Sequence, residues 1–178
     1  RLINGAFSTK PTSEWEEPDP IPWQAVMGRE GNIYETYDEF MEAEGHRDWP
    51  SIAVYFYRDE WIMGDIEYQQ ALFEEIYKHQ YNPIIFYGQY GSNPRVGIPN
   101  MKLSMNHLFG KDEFPFDVLI NTCKFSFQSL GAQTLEELKL QDVPIVQGYT
   151  IYMDEKSWAE NPQGVTPLDV NLSISQPE

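Results

Sequence analysis

The sequence predicts an α/β fold: an open, mainly parallel sheet with flanking helices, flavodoxin-like or Rossmann-like, preceded by an extended Pro-rich arm with one short helix. Three observations predict it. Ile52-Ala-Val-Tyr-Phe-Tyr57 is apolar at every position, as a strand buried on both faces of a parallel sheet should be. A helical stripe and a second apolar run, Pro83-Ile-Ile-Phe-Tyr87, follow it at the length of one strand, helix, strand crossover. Two more short runs, Val118 to Ile120 and Val143 to Val146, continue the alternation.

Taken in order, residues 1–50 hold four prolines before position 23 and an acidic patch around Glu14, Glu16 and Glu17, which reads as an extended arm. Within it, Ile33, Tyr37, Phe40 and Met41 fall at helical spacing, and Gly45 stands where such a helix would stop. Trp49-Pro50 breaks the chain before the first strand. After that strand, Asp65 is placed to cap a helix whose stripe is Ile66, Gln69, Leu72, Phe73, Ile76 and Tyr77. The stretch 88–115, with several Gly and Pro residues and a weakly amphipathic patch from Met101 to Phe109, reads as an insertion or a cover over the sheet edge. A short helix is expected from Thr134 to Leu140, where Thr134 and Glu137 form a capping box, and then the strand at Val143 to Val146. The expected division is arm 1–50, α/β domain 51–155, and a segment 156–178 connecting to a further domain. The absence of a starting Met and the uncapped end at Glu178 read as a piece of a longer chain.

Composition removes several function classes. With 28 acidic against 12 basic residues the net charge is −16, so a phosphate backbone is repelled and nucleic acid is a disfavoured partner. The single cysteine, Cys123, excludes an internal disulfide and a cysteine-based metal cluster. No stretch is long and apolar enough for a membrane helix, and the start lacks the order of a signal peptide. The expected compartment is cytoplasmic.

Familiar catalytic fingerprints are missing as well. Gly110-Lys111 is followed by Asp112 and lacks the upstream glycine of a phosphate loop, and neither Gly-x-Gly-x-x-Gly nor Gly-x-Ser-x-Gly occurs. His46, His79 and His107 show no metal-ligand spacing, which leaves His46 and His107 as weak metal candidates.

What remains is a cluster of polar residues where the apolar strands stop. In an open α/β sheet ligands bind beyond the carboxyl ends of the strands, so Arg58, Asp59, Glu60, Gly64, Asp65, Asn121, Thr122 and Phe125 are the ligand-cleft candidates. Arg58, at the end of a wholly apolar strand, is expected to find a carboxylate, from the protein or from a ligand. Asp65 serves as a helix cap or as a ligand contact. Cys123 reads as a small buried residue. Met101, Met105, Phe109, Phe125 and Phe127 line an apolar pocket or pack as core.

The order Tyr57-Arg58, Gly64-Asp65, Phe116-Asp-Val-Leu-Ile-Asn-Thr-Cys-Lys-Phe-Ser-Phe127, Leu140-Gln-Asp-Val-Pro-Ile-Val146, and the tail from Trp158 through Gly164, Pro167 and Asp169 to Pro177-Glu178 resembles the large subunits of cobaltochelatase and magnesium chelatase. The likeness covers roughly residues 50–178. It implies a domain of a very long subunit that binds a tetrapyrrole, a porphyrin or corrin precursor, and inserts a divalent metal, cobalt or magnesium. It also implies AAA+ ATPase and integrin-like partner subunits that use ATP-Mg, with the fragment alone inactive. Two departures stand out: Gly5-Ala-Phe-Ser-Thr-Lys-Pro11 lacks the Tyr-His-Pro of many members, and the stretch 88–115 fits poorly. A haem-handling relative that removes iron, periplasmic or membrane-associated, is therefore an alternative, and a non-catalytic docking scaffold is another.

Overall fold

Runs of apolar residues become strands where both faces can be covered, and that condition organises the chain. The computed structural model describes residues 21–89, 93–99, 101–110, 114–123, 142–148, 150 and 154–162. Strands β1 (Ala25–Met27) and β2 (Ile33–Tyr34) precede helix α1 (Tyr37–Ala43). Strand β3 (Ser51–Tyr57) runs directly into helix α2 (Arg58–Met63), and helix α3 (Glu67–Lys78) leads to strand β4 (Asn82–Gly88). Helix α4 (Met101–Phe109), strand β5 (Val118–Asn121), strand β6 (Ile145–Gln147) and helix α5 (Glu155–Glu160) follow.

Among the described residues the strands form one sheet in the order β2-β1-β4-β3-β5-β6. The neighbours β4, β3, β5 and β6 are parallel, with Tyr55 opposite both Phe86 and Asn121, whereas β1 joins β4 antiparallel and β2 joins β1 antiparallel. The parallel strands thus run second, first, third, fourth, which is the flavodoxin order and not the Rossmann order. The order reverses between β3 and β5. In open α/β sheets such a boundary, beyond the carboxyl ends of the strands, is where ligands bind.

Neighbouring residues of one strand point to opposite faces, and the contacts of β4 sort the helices accordingly. Phe86 meets Phe109 of α4 edge-on at 5.0 Å, while Tyr87 stacks on Trp61 of α2 at 5.7 Å. One face is therefore covered by α2 and α3, through Trp61, Phe73 and Ile76, and the other by α4, through Met101, Met105 and Leu108, together with Phe116. Helix α3 presents Gln69, Phe73 and Ile76 to the core at the spacing of one helical face.

Several expectations are corrected. Residues 33–34 are strand, not helix, and α1 starts only at Tyr37, with the Thr36 side chain accepting from the Glu39 amide at 3.3 Å. Where an extended arm was expected, residues 25–34 supply two strands to the sheet. Asp65 does not cap α3: the N-cap is Ile66 and no side chain caps it. Asp65 instead belongs to the close of α2, where its amide donates to the Glu60 carbonyl at 2.9 Å and Gly64 at φ 74° makes the left-handed turn. Of the two readings open for Met101 and Met105, core packing holds, since both are 1% exposed. The last strand is shifted to Ile145–Gln147. The expected helix at Thr134 to Leu140, and Phe125 and Phe127, lie outside the described residues. No helix among the described residues is long and apolar enough to cross a membrane.

Candidate functional site

At the reversal point between β3 and β5, the first turn after each strand delivers polar groups to one place. Thr122, the residue after β5, donates its hydroxyl to the Tyr55 carbonyl at 2.8 Å, and its amide reaches the same oxygen at 3.0 Å. Its Oγ1 also lies 3.0 Å from the Tyr68 hydroxyl of α3. Tyr68 donates in turn to Glu60 Oε2 of α2 at 2.7 Å, and Gln69 Nε2 donates to the same oxygen at 2.6 Å. Glu60 is held there because α2 begins directly at the end of β3.

Burial shapes the electrostatics. Desolvation pushes the Tyr68 phenol far above its ordinary range, with the neighbouring Glu60 adding to the shift and the Thr122 contact opposing it. Burial likewise pushes the Cys123 thiol well above its ordinary value of 9.0, and Glu60 adds to it. Both groups keep their protons at neutral pH. The Gln69 side chain is fully buried, and its Oε1 has no hydrogen-bond partner among the described residues; the same holds for the buried Tyr87 hydroxyl.

The raised thiol makes a pH prediction. A thiol that stays protonated in the folded protein but ionises at its ordinary value when unfolded leaves stability intact below that value. Stability then declines as pH rises from the unfolded value towards the folded one. From about pH 9 upward, the unfolding free energy should fall by about 1.4 kcal/mol per pH unit more in the parent than in Cys123→Ala. Parallel denaturant titrations across that range measure it, and equal slopes would refute it.

The remaining candidates do not all converge. Among the described residues Arg58 meets no carboxylate: its Nε donates to the Pro22 carbonyl at 2.8 Å and its Nη2 to the Ile21 carbonyl at 3.0 Å. Its guanidinium lies 4.4 Å over the Trp23 ring, so backbone carbonyls and an indole face satisfy the charge. Together with Trp61, whose Nε1 donates to the Gly31 carbonyl at 3.1 Å, it ties residues 21–31 across the outside of α2. Asp59, Gly64 and Asp65 are exposed. Asn121 is fully buried and clasps β6, donating to Gln147 Oε1 at 2.7 Å and accepting from the Cys123 amide at 3.1 Å.

The histidines stand apart from the crevice. His46 lies at the opposite, amino end of the parallel strands, stacked on Trp49 at 3.9 Å with its Nε2 2.8 Å from the Tyr77 hydroxyl. It borders an open cleft of about 510 Å³ that also includes Arg29, Glu44 and Tyr77, where Arg29 is already paired with Glu74 at 2.8 Å. His107 is an exposed residue of α4. Among the described residues, no group of three or more His, Cys, Asp or Glu is arranged to hold a metal ion.

Tyr68 and Gln69 are the site residues that strand-end reasoning missed. Gln69 had a visible signal, being the one polar member of the buried helical stripe. Tyr68 had none, because it sits beside that stripe and reaches the crevice only through the crossing of α3 over β3 and β5.

The sheet order, with a polar cluster at its reversal point, defines an open α/β domain of the flavodoxin type. The description CobN/Magnesium Chelatase matches residues 1–178, and the chain belongs to that family. It is similar to the uncharacterized protein MJ0908 of Methanocaldococcus jannaschii, 31% identical over 176 residues, covering 93% of this chain and 14% of that protein. The catalytic subunit of cobaltochelatase from Mycobacterium tuberculosis shares the fold, with a TM-score of 0.55 and 22% identity over 88% of this chain and 12% of that one. The chain thus spans about one seventh of the relative it matches and one eighth of the structural neighbour.

Proposed function

We propose that this chain forms one wall of a tetrapyrrole-binding cavity in a chelatase large subunit, where a porphyrin or corrin precursor is held while a divalent metal, cobalt or magnesium, is inserted. Family membership over the whole chain supports the class. The single observation that carries the site is the polar cluster of Glu60, Tyr68 and Thr122 at the reversal point, the place where an open α/β sheet receives a ligand. AAA+ ATPase and integrin-like subunits using ATP-Mg are the proposed partners, and the cytoplasm the proposed compartment. Because the chain spans a small part of its relatives, the remaining walls belong to other parts of the whole protein.

The test is a visible-absorbance titration of the whole protein with a corrin precursor, a porphyrin and haem. A shift with a metal-free macrocycle supports insertion, and a shift with haem alone turns the reading towards iron removal. Silence with all three sinks it. Glu60→Ala should weaken the shift more than Arg58→Ala does, since Arg58 is spent on backbone carbonyls outside the crevice.

A further inference from the structure

Strand β6 is covered less than its neighbours in the parallel part of the sheet. Such strands are ordinarily protected on both faces, and β4 is buried along its whole length, yet β6 reads exposed, exposed and half-buried. Ile145 is 36% and Val146 51% exposed, and as successive residues of one strand they point to opposite faces. Both faces are open on this side of the sheet.

The backbone of β6 is open on the same side. The Leu119 amide donates to the Pro144 carbonyl at 2.9 Å and the Gly148 amide to the Asn121 carbonyl at 2.8 Å, so Pro144, Val146 and Gly148 turn their peptide groups towards β5. Ile145 and Gln147 turn theirs the other way. Among the described residues, those outward amides and carbonyls meet no partner.

Another strand is the group that uses such atoms, and the sequence holds a fitting segment. Leu168-Asp-Val-Asn-Leu-Ser-Ile-Ser175 alternates apolar and polar residues without a break, the period of a strand with one covered face. Pro167 and Pro177 bracket it, where a strand begins and ends. The segment lies outside the described residues, as do 1–20 and 124–141, and neither of those stretches sustains the alternation. About twenty residues separate it from β6 and include helix α5, the make-up of a strand, helix, strand crossover.

We propose that β6 is a receiving surface for this chain's own residues 168–175, which add to its outer side as a parallel strand through a right-handed crossover containing α5. The outward amides and carbonyls of Ile145 and Gln147 then enter a ladder. The row Leu168, Val170, Leu172 and Ile174 covers one face beside β6, while Asp169, Asn171, Ser173 and Ser175 stay towards water. This pairing is independent of the tetrapyrrole reading.

Hydrogen–deuterium exchange of the whole protein, resolved to single residues by fragmentation in the mass spectrometer, tests it. In the parent, the Ile145 and Gln147 amides should be protected like those of Val146 and Gly148. Either of two successive amides can be the one that faces β6, so a double variant, Val170→Pro with Asn171→Pro, removes both. Exchange at Ile145 and Gln147 should then be about a hundredfold faster, with Val146 and Gly148 unchanged because they pair with β5.

Fast exchange at Ile145 and Gln147 in the parent overturns the inference. Protection that survives the double variant also overturns it, by assigning the place to another segment, and protection that grows with protein concentration does so by assigning it to a second copy. If the double variant loses all four amides together or does not fold, cysteine pairing decides. Val146→Cys is combined in turn with Val170→Cys, Asn171→Cys, Leu172→Cys and Ser173→Cys, and oxidation should join it only to positions on its own face, either 170 and 172 or 171 and 173. No cross-link, or cross-links to both sets alike, overturns the pairing.

Discussion

Phe86→Ala is expected to lower the unfolding free energy by about 3–5 kcal/mol, the range for deleting a fully buried aromatic ring from a core. Phe86 is 1% exposed and central to the cluster between the sheet and α4, with Tyr55 at 5.3 Å, Phe109 at 5.0 Å and Phe116 at 6.5 Å. Its neighbours come from β3, from α4 and from the turn before β5. A cavity there cannot be refilled by one side chain shifting. Phe114→Ala is the contrasting control: that ring is half-buried at the rim, 5.5 Å from Phe116, and its loss should cost about a third as much. Denaturant unfolding of both variants measures the difference, and equal losses would mean that α4 is not packed as described.

Asn82→Ala should cost about 3 kcal/mol, although it removes few atoms. The side chain is 1% exposed. It accepts from the His46 amide at 2.8 Å and donates to the carbonyls of His46 at 2.8 Å and Trp49 at 2.9 Å. Truncation leaves three part-buried backbone groups of the loop before β3 without their partner, at about 1 kcal/mol for each. Asn82→Asp is the sharper companion, because a carboxylate keeps the acceptor and loses both donors. Its loss should approach that of alanine at neutral pH, and a variant as stable as the parent would show that the loop is held by other means.

Much of the architecture was legible because it is written in local runs. β3, α3, β4 and β5 each announce themselves by unbroken apolar stretches or a helical stripe, and the parallel pairing follows from their alternation. β1 and β2 are three and two residues long and lie in a Pro-rich, acidic stretch, so no period develops. Their pairing is non-local, with Ala25 opposite Tyr87. Helix α2 was hidden for another reason: Arg58–Met63 has no apolar periodicity and is fixed by its clasps to residues 21–31.

The candidate site divides the same way. Glu60 and Thr122 followed from the rule about strand ends, and both stand in the polar cluster. Arg58 was misread because carbonyl oxygens carry no signature in a sequence, and those that satisfy it come from 36 and 37 positions away. Asn121 was placed at the right strand end, but its amide is consumed in holding β6.

The antiparallel pair β1 and β2 also guards the molecule against its own most adhesive segment. β4 is buried at all seven positions from Asn82 to Gly88, an apolar run of the kind that templates intermolecular pairing when its edge is bare. β1 occupies that edge, and β2, with only two residues, leaves little for another chain to extend. A chain trimmed at residue 50, the boundary that composition suggests, would uncover β4 and is expected to form cross-pairing aggregates, whereas one beginning at residue 21 keeps its edge closed.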